Sequence, residues 1–148
     1  MRKLPKIRII FAVSGKNFDL NEMTDKVKVT PTETRTKEEW PDVIKNNPNL
    51  PEELRPKNEW SYEKVFYGMK DLTLAYQEIL SNFKPKVDIL NQLANEEQRE
   101  YAVVLCIDCY NGDFPALVVP TPMIHFLDSI NAEISFDIVT YENEEDED

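Results

Sequence analysis

The chain is poor in glycine, cysteine and histidine, with three, two and one of them in 148 residues. Each scarcity removes a class of chemistry. Three scattered glycines form no loop that could wrap backbone N–H groups round a phosphate. Ser14-Gly15 lacks the G-x-S-x-G pattern of a nucleophile elbow. The lone histidine, His125, leaves a zinc site short of ligands. Two cysteines make no disulfide scaffold and suit a reducing cytoplasm. No run approaches the ~20 apolar residues of a membrane span. Met1-Arg2-Lys3 has the charge of a secretion signal. However, Ile7–Val13 is short, is interrupted by Arg8 and leads to no small-residue cleavage site, so a cytoplasmic protein is expected.

Basic charge is also in short supply. Seventeen Lys and Arg stand against 28 Asp and Glu, a net charge of −11. Arg2, Lys3, Lys6, Arg8 and Lys16 open the chain without an acid, and Glu142, Glu144, Glu145, Asp146, Glu147 and Asp148 close it. Such a balance repels phosphate backbones and favours a basic protein partner, with no nucleic acid and no membrane. For any single acid, solubility is the plainer explanation.

The length suits one domain, and a chain of this size buries roughly 68–70 % of its unfolded surface without a metal or disulfide. The longest near-continuous apolar stretch, Tyr101–Tyr110, is rich in β-branched residues and closed by Asn111-Gly112. It predicts a central strand buried on both faces, around which the fold is arranged.

Before it, Lys6–Val13 alternates as a first strand, ended by Ser14-Gly15, where glycine would take a positive φ cheaply. Asp19 and Glu22 are spaced as a capping box, with Phe18 and Met23 placed as a hydrophobic staple, for a short helix to about Lys26. Val27–Val29 predicts a second strand. From Pro31 to Glu59 periodicity is lost among five prolines, which predicts a long loop with a helical turn near Glu38–Lys45. Glu59–Gly68 recovers strand character. Asp71 caps a helix carrying Leu72, Ala75, Tyr76, Ile79 and Phe83, and Lys84-Pro85 breaks it from the next.

After the central strand, Pro115–Val119 predicts the return strand of a hairpin, Thr121-Pro122 starts a helix to about Asn131, and Ala132–Tyr141 alternates as a last strand. The expected order is β-α-β, long loop, β-α-α-β-β-α-β. That is an α+β domain over residues 1–141, with a mostly antiparallel or mixed sheet and helices on one face, then an acidic tail at 142–148.

Four places could hold chemistry. Cys106 and Cys109 lie within a strand, three apart, so their side chains point to opposite faces; two buried hydrophobes explain them better than a redox or metal pair. His125 stands without a motif. Asp108 is an acid in an otherwise apolar strand, either a group with raised pKa or a strand-end residue meeting solvent or an arginine. Trp40, Trp60 and Tyr62 could line a pocket or an interface; core packing explains Trp60 as well, and Trp40, in the loop, is the one expected to face a partner.

A family resemblance enters here. Phe11-Ala-Val-Ser-Gly15, Phe18-Asp-Leu-Asn-Glu-Met-Thr24, Pro31-Thr32, Trp60-Ser-Tyr62 and Leu127–Ile138 together resemble a bacterial family known as domain of unknown function 4279. The likeness covers most of the chain. It departs between Thr34 and Glu59, where the expected glycine after Pro31-Thr32 is missing. The resemblance implies a small bacterial α+β protein and transfers no catalytic residue.

No catalytic residue, cofactor or metal ligand is therefore assigned, and the balance leans away from an enzyme. The leading expectation is a bacterial or phage protein-binding module, of the immunity or antitoxin type, that blocks a basic partner. The alternative is a small-molecule-binding or enzymatic domain with a pocket between the sheet and the 31–59 loop, lined by Trp40, Trp60 and Asp108.

Overall fold

The computed structural model describes residues 3–142; the acidic tail expected at 142–148 lies almost wholly outside them. The fold is α+β, as expected. Its single sheet joins β1 (Lys6–Gly15), β2 (Glu33–Arg35), β3 (Asn58–Tyr67), β4 (Glu100–Tyr110) and β5 (Glu133–Tyr141) in the order β2-β3-β1-β4-β5. All neighbours are antiparallel except β4 and β5, which are parallel. The helices are α1 (Leu20–Val27), the single turn α2 (Asp42–Lys45), α3 (Thr73–Phe83), α4 (Val87–Glu96) and α5 (Thr121–Ser129).

The middle of the sheet is β1. Its alternation works as the sequence implies: Ile7, Ile9, Phe11 and Val13 are fully buried on one side. Each such side chain contributes roughly 1.5–3 kcal/mol by leaving water. On that side the apolar stripes of α1, α3, α4 and α5 close one core with Trp60, Val103, Leu105 and Ile107. Phe83 sits at its centre, stacked on Phe11 at 4.0 Å and edge-on to Trp60 and Tyr62.

Strand β4 corrects the first expectation. It is an inner strand, but it is not buried on both faces. Tyr101, Val103, Leu105, Ile107 and Cys109 are buried, while Ala102, Val104, Cys106, Asp108 and Tyr110 between them are only half covered. The run looked continuous because the uncovered face is itself largely apolar.

Asp19 caps α1 as expected, its Oδ1 accepting from the N–H groups of Asn21 and Glu22 at 2.8 and 3.1 Å. Val27–Val29 is not a strand. Val27 ends α1, and Lys28 takes a left-handed conformation at φ 58°, which turns the chain. The second strand is instead the short Glu33–Arg35. Gly15 needs no positive φ; its constraint is contact, since a Cβ there would stand 2.6 Å from the carbonyl oxygen of Gln98 and 2.9 Å from Phe18. The Pro115–Val119 return strand does not form either. Asn111 and Gly112 make the turn with positive φ, but beyond it only Asp113 bridges back to Tyr110, and Ala116 pairs with Asp71 instead.

Candidate functional site

The stretch read as a long loop is tied down. Lys37 N–H donates to Asn58 Oδ1 at 2.8 Å, Thr32 N–H donates to the Ser61 carbonyl at 2.8 Å, and Thr36 and Glu39 form a capping box over one short turn. Trp40 belongs to this anchoring. Its Nε1–H donates to the Lys57 carbonyl at 3.0 Å and the Arg35 guanidinium lies 4.0 Å from its ring. It is half-buried, with its indole N–H and its ring face both engaged inside the chain.

The other expected residues are scattered. Trp60 is a core residue with no exposed surface, and its Nε1–H donates to Thr24 Oγ1 at 2.9 Å. Tyr62 lies on the helix side of β3 and donates to Glu78 Oε1 at 2.6 Å. Burial first, then that bond and the nearby carboxylate charge, push its pKa up to about 12. His125 is exposed on α5. Asp108 stands at the far end of the sheet from Trp60, beside Lys6, whereas Trp60 pairs with Val13. Trp40, Trp60 and Asp108 therefore line no common pocket.

A cleft does exist between the sheet end and the loop. It measures about 420 Å³ and is lined by Ser14, Gly15, Lys16, Glu52, Lys57 and Glu100 among others. Its charges are mixed, and Lys16 pairs with Glu52 across it. Its lining includes Arg99, a residue the sequence hides within the run Glu96-Glu97-Gln98-Arg99-Glu100. Its side chain is fully buried, donates to the Glu97 carbonyl at 3.0 Å and lies 4.9 Å over Phe18, with Glu22 at 3.7 Å.

What the fold does bring together is the uncovered face of the sheet, on which none of the four longer helices lies. The strand register sets it out in rows: Ser61, Ala12, Ala102 and Glu133; Glu63, Ile10, Val104 and Ser135; Val65, Arg8, Cys106 and Asp137; Tyr67, Lys6, Asp108 and Val139. Its middle is an apolar floor of Ile10, Ala12, Ala102 and Val104. Tyr110 and Tyr141 stack at 5.2 Å at one end.

Charge on this face divides by strand. Arg8 donates to Glu63 at 2.6 Å and Arg35 pairs with Glu59. That hydrogen bond, opposed by partial burial and helped by the Glu63 charge, raises the pKa of Arg8. Strands β4 and β5 contain no lysine or arginine at all. They present Glu100, Asp108, Glu133 and Asp137, none of which makes an ion pair among the described residues.

Cys106 on this face and Cys109 in the core do point to opposite sides. Burial raises both thiol pKa values, so both stay protonated and weakly nucleophilic. Among the described residues no three His, Cys, Asp or Glu side chains gather as a metal would require.

The sequence profile described as domain of unknown function DUF4279 matches residues 5–141, nearly the whole chain. The chain belongs to this family. No curated protein and no solved structure matches it. The DUF4279 match spans every strand and helix of the fold, so the uncovered face lies within the family region. Among the described residues no helix is long and apolar enough to cross a membrane.

Proposed function

We propose that the chain is a non-enzymatic protein-binding module that presents the uncovered face of its sheet to a basic partner. The observation that supports this is the pairing of an apolar floor, Ile10, Ala12, Ala102 and Val104, with the carboxylates of Glu100, Asp108, Glu133 and Asp137, which form no ion pair among the described residues. Apolar contact supplies affinity at the centre of an interface, and complementary charge at its rim steers approach and fixes register. A bacterial or phage immunity or antitoxin role fits this chemistry: a small acidic cytoplasmic protein that covers a basic toxin surface needs shape and charge but no catalytic group. The test is capture from native lysate by the wild-type chain beside Glu100→Lys/Glu133→Lys, followed by salt elution.

A second reading is favoured by one feature, the cleft of about 420 Å³ between the sheet and the 31–59 loop. It makes the chain a small-molecule-binding domain. A thermal-shift screen with nucleotides, sugars and divalent metals tests it, because a ligand that binds only the folded state raises Tm.

A further inference from the structure

The two edges of the sheet differ. At one end β2 offers three residues, too short to template another strand. At the other end β5 runs nine residues, and among the described residues no strand pairs with its outer side. Sheets protect long edges with lysine, proline, bulges or covering loops. Strand β5 has no lysine, proline or glycine, and it pairs with β4 in continuous register over its full length.

Its side chains add to the exposure. Ile134, Phe136 and Ile138 pair with Val103, Leu105 and Ile107, so they lie on the helix side of the sheet. There Phe136 and Ile138 remain 38 % and 39 % exposed, although their partners on β4 are wholly buried. The helices stop short of this edge and leave an apolar row open.

We propose that two copies of the chain join through β5, antiparallel, with Phe136 on the two-fold axis, and so extend the sheet across both. Charge and pattern select this register from its neighbours. With Phe136 opposite Phe136, Ile134 faces Ile138, Ser135 faces Asp137, and Glu133 faces Val139. Every apolar residue of the row meets an apolar one, and no carboxylate opposes another. Slipping the register so that Asp137 meets its own copy sets like charges together, as does the slip the other way, which brings Glu133 against Asp137. Like charges directly opposite destabilise a strand pair. A single strand pair is a small interface, so the Ile134, Phe136, Ile138 row supplies apolar burial that the backbone bonds do not. Because the β2 edge is short, the pairing closes at two copies and does not grow into a fibre.

The protein-binding reading uses the uncovered face and this one uses the edge; the two share Glu133 and Asp137 of β5, and they are told apart because self-association is read as mass in the purified chain with no partner present. Sedimentation or light scattering at high micromolar concentration tests it. The wild-type chain is expected at twice its 17.3 kDa mass. Ser135→Glu sets a new carboxylate against Asp137 at two symmetric places and is expected to halve that mass with unchanged circular dichroism. Asp137→Lys added to it turns the repulsion into attraction and restores the dimer. A monomeric wild-type chain, or a dimer indifferent to Ser135→Glu, overturns the proposal.

Discussion

The Nε1–H of Trp60 donates to Oγ1 of Thr24 at 2.9 Å, and that bond ties β3 to α1. The indole has no exposed surface, so its only polar atom depends on one hydroxyl. Thr24→Val keeps the shape and removes the acceptor, leaving a buried donor unsatisfied at about 1–3 kcal/mol. For a chain of this length each kcal/mol lowers Tm by about 2–4 °C. A thermal melt followed by circular dichroism is expected to fall by several degrees; an unchanged Tm would show that another group satisfies the indole.

Gly15 gives a sharper case. A methyl group there meets the Gln98 carbonyl at 2.6 Å, and that atom is backbone, held at the entry to β4. Gly15→Ala is expected to destabilise the fold by about 1–3 kcal/mol through overpacking. Urea denaturation measures it, and a neutral result would mean that the β1–β4 end is free to shift.

Alkaline pH should unfold the chain over a defined window. Burial pushes Tyr62, Tyr76 and Tyr101 up to about 12, with the Glu78 bond adding to the shift at Tyr62. All three groups lose charge-forming tendency on folding, so the folded state holds their protons more tightly than the unfolded chain does. Their contribution to stability is therefore complete below the unfolded value, near pH 10, and is lost as pH rises toward 12. Tyrosinate absorbance is expected to show three of the six tyrosines ionising late, together with unfolding. Full ionisation near pH 10 with the fold intact would contradict this.

Much of this architecture was legible in local pattern. The alternation of Lys6–Val13 and Ala132–Tyr141, the Asp19 cap and the break at Pro85 all survive, because each is decided by neighbours in sequence. The failures came where distant chain decides. Val27–Val29 has β-branched residues, yet α1 claims Val27 because its side chain completes that helix's buried stripe. Pro115–Val119 has strand composition, yet β5 already occupies the side of β4 that a return strand would need. Trp40 is half-buried against Arg35 and the Lys57 carbonyl, contacts that its neighbours in sequence do not announce. Tyr101–Tyr110 is the plainest case: an apolar run implies two covered faces, and in β4 every second residue is only half covered.

That open face is the centre of the functional proposal, and affinity capture with charge reversal tests it most directly. Wild-type chain and Glu100→Lys/Glu133→Lys, both exposed positions on the rim, are immobilised side by side and challenged with native lysate. The proposal predicts a basic protein retained by the wild-type chain, released as salt rises, and lost or strongly reduced with the variant. A partner held equally by both chains and indifferent to salt, or no retained partner at all, would contradict it.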